Sequence, residues 1–322
     1  MKSNYDKPDK ERFIAVLRRK PVDRVPIHEN VINRRFIKYL LGADFETSLN
    51  MEPALHLEMA QRLAMDMLTI GEYWRTSIKN REELERVSPP DVNEFFGRIE
   101  EYQKVLKGTT AGLNVYVHGP FDQTYLSIGY ERFFMMLYDD LPFVEAVMEM
   151  YSKRSLSLIK GLIERKVDTI EIVDDIAYGK GLMIEPALIE KIWLPGMKRL
   201  MAPILDSGIP RFFHSDGDVS GYIGYIIDLG FQAMNPIEPL YNDIVGIKKE
   251  YGSKIALMGN LDIGGVLATG NIDDVKREMR GLLEKMMPGG GYIAMSSSSI
   301  SDAVKPENFI AMAETVRQFG KY

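Results

Sequence analysis

Residues 211–219 read RFFHSDGDV: two aromatics, then an imidazole and two carboxylates. The stretch starts as a buried strand and ends in polar chemistry, which is the form of a parallel strand that stops at a site. Seven other apolar, β-branched runs share the form. They are RVPIHEN (24–30), MDMLTIGE (65–72), LNVYVHG (113–119), DTIEIVDD (168–175), FQAMNPIE (231–238), KIALMGNLD (254–262) and GYIAMSSS (291–298), with PRFFHSD (210–216) the fifth in chain order. Amphipathic segments separate them. In 272–287, Val275, Met279, Leu282, Leu283 and Met286 share one face. Helices are also expected over 141–166, over 186–208 with breaks at Pro195 and Pro203, and from near Pro306. Eight β–α units predict a (β/α)₈ TIM barrel with an N-terminal helical extension, one domain spanning 1–322. A doubly wound sheet is disfavoured because no G-x-G-x-x-G follows the first strand.

Composition narrows the chemistry. A formal net charge of −6 with no Lys/Arg run gives no footprint for nucleic acid. The absence of cysteine excludes disulfides, thiolate zinc ligands and Cys nucleophiles. No apolar run reaches the roughly 18–20 residues of a membrane span, and the charged start MKSNYDKPDKERF lacks the apolar centre of a signal peptide. A cytoplasmic protein is expected.

In a barrel the C-terminal ends of all strands converge on one face. Those ends carry His28 and Glu29, Glu72 and Tyr73, His118, Asp174 and Asp175, His214 and Asp216, Glu238, Asn260 and Asp262, and Ser296 to Ser299. Three of the four histidines are among them. His214 and Asp216, two residues apart, face one side if the strand continues, and can orient one another or share a metal. Asp218 is expected to cap the following helix. Asp174 and Asp175 must point to opposite faces, one toward the pocket and one toward a loop. Glu238 lies between prolines that aim its side chain, and Tyr73 and Tyr125 are placed to line an aromatic-friendly cavity.

The stretches DKERFIAVLRRKPVDRVPI, GPFDQTYLSIGYERFFMMLYDDLPFVEAVME, HSDGDV, GFQAMNPIEP, GNLDI and PGGGYIAMSSSSI…VKPENFIAM resemble the uroporphyrinogen decarboxylase superfamily nearly end to end. The resemblance implies a single-domain (β/α)₈ fold and either decarboxylation or corrinoid-linked methyl transfer. True decarboxylases carry a signature resembling P-x-W-x-M-R-Q-A-G-R that holds substrate carboxylates. Here the aligned stretch is VPIHENVINRR, with His28-Glu29-Asn30 in place of Trp-x-Met. Zinc-dependent methyltransferases of the superfamily use a His-x-Cys pair and a later Cys. In this chain the pair is His214-Ser215-Asp216 and the later position falls in Ser296 to Ser299, so thiolate zinc is excluded. An N/O site of His214, Asp216 and Glu238 remains as a candidate for zinc.

What the resemblance then implies is the first methyltransferase of an O-demethylase system. Such an enzyme moves a methyl group from a methoxylated aromatic to the Co(I) corrinoid of a separate carrier protein. In that reading His214 with Asp216 activates the leaving oxygen, and His28, Glu29 and His118 complete the polar wall. Glu72, Tyr73, Asp174, Asn260 and Tyr125 hold substrate. The alternatives are a decarboxylase-like lyase on a smaller substrate and a non-catalytic barrel that binds a small ligand.

Overall fold

The computed structural model describes residues 7–322, so the first six residues of the charged start lie outside it. Seven parallel strands form one sheet. They are β1 (Met67–Gly71), β2 (Gly112–His118), β3 (Thr169–Val173), β6 (Arg211–His214), β7 (Ala233–Asn235), β8 (Ala256–Leu261) and β9 (Tyr292–Ser296), in that spatial order. A two-stranded antiparallel hairpin, β4 (Ala177–Tyr178) with β5 (Gly181–Leu182), follows β3 and was not anticipated.

The expected first strand, 24–30, is not a regular ladder. It is an extended segment with single bridges, Ile27 running parallel to Ala294. Its hydrogen bonds still close the barrel. His28 N–H donates to Ala294 O, and Ala294 N–H to Pro26 O. On the other side Asp66 N–H donates to Ile27 O. Pro26 has no N–H to offer, and the neighbouring Ile27 N–H goes to the Asp66 carboxylate, so a continuous ladder cannot form.

The helices follow the apolar periodicity. Helix Ile272–Met286 buries Val275, Met279, Leu283 and Met286 and starts at an Asn271/Asp274 capping box. Helix Leu141–Glu164 spans 24 residues. The region 186–208 is divided, but not at a proline. A π-helical stretch, Ile189–Trp193, precedes helix Leu194–Ser207, whose first turn holds Pro195 and whose interior holds Pro203. Trp193, the last residue of that stretch, is fully buried.

Two cores result. One fills the space between the strands and the outer helices. The other lies inside the barrel, where Phe13, Val16 and Leu17 of helix Lys10–Leu17 meet Met67, Phe212, Ala233, Ala256, Met258, Ile293 and Met295. The N-terminal helix is therefore a plug across the N-terminal face, which leaves the C-terminal face as the accessible mouth. An ion network anchors the plug. Asp66 accepts from Arg12 Nη1 at 2.6 Å, from Arg24 Nη2 at 3.3 Å and from the backbone N–H of Asp9 at 2.8 Å. None of the described helices is long and apolar enough to cross a membrane.

Candidate active site

β6 delivers His214 to the mouth, where its side chain is 14% exposed. Its Nδ1 lies 2.7 Å from Asn235 Oδ1 on the neighbouring β7, and the two residues are register partners. Asn235 Nδ2 donates in turn to Glu171 Oε1 on β3 at 3.1 Å. Asp216 stands at the opposite edge of the ring, with Asp175 close by. One ligand atom each from Asp175, His214 and Asp216 lies within 4.8 Å of the others. Nε2 is 3.7 Å from Asp216 Oδ1, a buried oxygen with no hydrogen-bond partner among the described residues, although the Asp216 side chain as a whole is 45% exposed.

The electrostatics follow from this crowding. Burial works against a charged His214 ring, but Asp216, Asp175 and Glu171 outweigh it, so the imidazolium is favoured above its ordinary range. Burial, with Asp216 and Asp122 adding and His214 opposing, brings the Asp175 carboxyl up to about 6. One imidazole and two carboxylates, with an orphaned oxygen among them, fit a divalent cation held by nitrogen and oxygen donors with an open position. The same set also fits a proton donor near neutrality.

The other expected residues divide between mouth and interior. His118, at the end of β2, is 18% exposed, bonds Asp122 Oδ2 through Nδ1 at 2.9 Å and meets the Tyr73 ring edge-on at 5.3 Å. Tyr73 is 54% exposed and Asn260 is buried at the end of β8. Glu72 is held by Arg154 at 2.5 Å and shares with Tyr73 a groove of about 620 Å³ that also includes Arg98 and Glu101. Tyr125 packs against Phe121, Tyr130 and Phe133.

Several expectations are corrected. Asp174 does not face the mouth: it is fully buried, accepting from Trp193 Nε1 at 2.8 Å and from the Asp122 N–H at 2.8 Å. Alternation along the chain sends Asp175, not Asp174, to the site. His28 is not in the polar wall. It lies inside the barrel with Phe13 at 5.1 Å and Phe212 at 5.7 Å, and burial brings it down to about 4. Glu29 likewise points into the seam, accepting from Ser296 N–H at 2.8 Å and lying 2.7 Å from Ser296 Oγ. That hydroxyl has one hydrogen and also contacts Ser298 O. A proton on Glu29 satisfies both contacts, in line with burial pushing the carboxyl up to about 8. Glu238 accepts from the Gly217 N–H at 2.5 Å, which shapes the loop after β6, and Asp175 stands in its place beside His214 and Asp216.

The residues missed from sequence are Glu171, Asn114, Asn235 and Asn30. All are buried. The signal was present: a lone polar residue inside an apolar run (LNVYV, TIEIV, QAMN) is a residue aimed into the barrel.

A family model described as uroporphyrinogen decarboxylase (URO-D) matches residues 59–319. The chain belongs to the uroporphyrinogen decarboxylase family. Within it, the chain is similar to relatives of two kinds. It is 22% identical to a uroporphyrinogen decarboxylase of Methylococcus capsulatus, over 95% of this chain and 97% of that one. It is 23% identical to the methylcobamide:CoM methyltransferase MtbA of Methanosarcina mazei, over 90% of this chain and 94% of that one. Among solved structures, a methyltransferase from Methanosarcina mazei superposes with a TM-score of 0.78 at 16% identity, covering 97% of this chain and 99% of that one. At that identity the likeness speaks for the fold, a family member's parallel barrel.

Proposed function

We propose that this family member is a corrinoid-dependent methyltransferase that takes the methyl group of a methyl ether, in a methoxylated aromatic, and passes it to the Co(I) corrinoid of a separate carrier protein docked over the barrel mouth. One observation carries the reading. The position that matches the thiol-activating His-x-Cys pair of the superfamily holds His214 beside Asp175 and Asp216, an oxygen-and-imidazole set suited to an oxygen leaving group. Coverage of 90% of the chain by a methylcobamide:CoM methyltransferase supports the methyl-transfer half.

The carrier's corrinoid is a substrate. Its Co(I) lone pair forms the new bond to carbon while the C–O bond breaks, and the oxygen leaves with the C–O bonding pair. The departing oxygen needs a proton or a cation at its lone pair. His214 Nε2 supplies the proton in the imidazolium state that Asp175, Asp216 and Glu171 favour. The same three side chains, His214, Asp175 and Asp216, would hold a divalent ion such as zinc, which when bound supplies Lewis-acid polarisation. His118 and Tyr73, packed edge to face, offer aromatic surface against which a substrate ring would be held.

Decarboxylation of a polycarboxylate is less well supported. Arg34 is paired with Asp44 at 3.0 Å and Arg35 donates to Asp302 O at 2.8 Å, while the groups around His214 are acids.

The test combines purified protein, Co(I) corrinoid on its carrier and a panel of methoxylated aromatics, and follows the visible spectrum. Conversion of Co(I) to methyl-Co(III) with one donor, lost in His214→Ala, is the expected result. Carbon dioxide release without corrinoid moves the assignment to the decarboxylase-like lyase. Ligand binding with no turnover under any corrinoid condition moves it to a non-catalytic barrel.

A further inference from the structure

Below the mouth, one buried carboxylate is surrounded by amide donors. Glu171 Oε1 accepts from Asn30 Nδ2 at 2.7 Å and from Asn235 Nδ2 at 3.1 Å, and Oε2 accepts from Asn114 Nδ2 at 2.8 Å. The residue is fully buried. A carboxylate can only accept, so each asparagine must turn its NH₂ toward Glu171 and its carbonyl away. The three carbonyls then fall on definite partners. Asn114 Oδ1 receives the Thr169 hydroxyl at 2.8 Å, Asn30 Oδ1 meets His28 Nε2 at 2.9 Å, and Asn235 Oδ1 meets His214 Nδ1 at 2.7 Å.

The consequence for His214 is a fixed polarity. At 2.7 Å from a carbonyl oxygen, Nδ1 without hydrogen would set two lone pairs against each other. Nδ1 therefore carries the hydrogen. A second N–H of Asn30 lies 3.2 Å from the same nitrogen, a longer and weaker contact than the one it opposes. Proton exchange and metal binding are thereby confined to Nε2, on the edge facing Asp216.

We infer that Glu171 is a positioning residue that, through Asn235, locks His214 as the Nδ1–H tautomer and keeps its Nε2 lone pair directed at the mouth. It touches neither substrate nor the reacting atoms. The inference rests on the reading of His214 as the working group of the site, but it concerns a tautomer that exists whether or not methyl transfer is observed. Through Asn30 the same carboxylate gives His28 a hydrogen on Nε2, so one acid sets the hydrogen positions of two histidines. Second-sphere partners of this kind typically change metal affinity by about 10–100-fold when removed.

The decisive measurement is a long-range ¹H–¹⁵N spectrum of the full-length protein at a pH alkaline enough to leave the His214 ring neutral. With four histidines, His214 is assigned by its loss in His214→Gln. The expected signal is a protonated Nδ1 with Nε2 unprotonated. In Glu171→Gln, an amide that donates as well as accepts, and in Asn235→Ala, the signal should shift toward Nε2–H. Zn²⁺ affinity, read by competition with a chromophoric chelator, should fall about 10–100-fold in both. A neutral wild-type His214 with its single ring hydrogen on Nε2 overturns the inference without any variant having to fold. A wild-type Nδ1–H tautomer that persists in both variants overturns it too, since the lock would then lie elsewhere. A confirmed tautomer with no methyl transfer removes the proposed reaction and leaves the lock standing.

Discussion

Two buried charge clusters sit at opposite ends of the barrel, and they are built on opposite principles. At the N-terminal face Asp66 is enclosed by Arg12, Arg24 and the backbone N–H groups of Asp9 and Ile27, so the carboxylate is answered on every side. At the mouth one imidazole faces Asp175, Asp216 and, through Asn235, Glu171, and an Asp216 oxygen accepts no hydrogen bond from the described residues. A balanced cluster fixes a helix; an unbalanced one holds chemical potential for a proton or a cation. The difference teaches that burial of charge alone does not mark a site, whereas an uncompensated surplus of one sign does.

The sharpest way to break this contrast is at His214. His214→Ala should lower methyl transfer by about 10²–10⁴-fold while the protein stays folded, with a stability loss in urea of about 1–3 kcal/mol from the stranded Asn235 carbonyl. If activity survived, the mouth cluster would be as structural as the lower one. The lower cluster should respond in reverse. Asp66→Asn removes the buried carboxylate that Arg12 and Arg24 share, while Arg12 keeps Asp23, for a loss of about 3 kcal/mol by equilibrium denaturation, with the remaining folded protein still active. An unchanged denaturation midpoint would deny the network its role.

Asp174 sharpens the comparison, since it adjoins Asp175 in sequence but belongs to the structural class. Trp193→Phe deletes the indole N–H that it accepts and should cost about 1–3 kcal/mol in stability, with little effect on catalysis. A pH drift in stability is expected from Glu29. Its folded pKa, raised to about 8, lies above the ordinary 4.5, so the folded state binds the extra proton. Its contribution is present below about pH 4.5 and is lost as pH rises through 8, with a slope of at most about 1.4 kcal/mol per pH unit. Glu29→Gln, which keeps a donor toward Ser296 Oγ, should flatten that slope in unfolding measured across pH 5–9. An unchanged slope would place the proton elsewhere.

Much of this molecule was legible before folding. The apolar runs at 65–72, 113–119, 168–175 and 291–298 became β1, β2, β3 and β9, and the period-3.6 pattern at 272–287 became the helix Ile272–Met286. The run at 24–30 had the composition of a strand, but Pro26 and the claim of Asp66 on the Ile27 N–H reduced it to single bridges. Among site residues, His214 and Asp216 were readable because a strand end is a local event. The choice between Asp174 and Asp175 was not, because alternation says that two neighbours part company without saying which of them finds Trp193.

By itself, then, the sequence determined the order of strands and helices, the absence of thiolate chemistry, and the placing of His214 and Asp216 at a strand end. These follow from local periodicities and residue chemistry. Only the tertiary structure decided that Asp175 rather than Glu238 joins that pair, that His28 and Glu29 turn inward, and that Glu171 polarises three asparagines. Those outcomes depend on the register between strands far apart in the chain, where Glu171 and Asn235 are separated by 64 residues yet share a hydrogen bond. Side-chain alternation has a period of two within each strand, but no local pattern records which residue the next strand will set beside it.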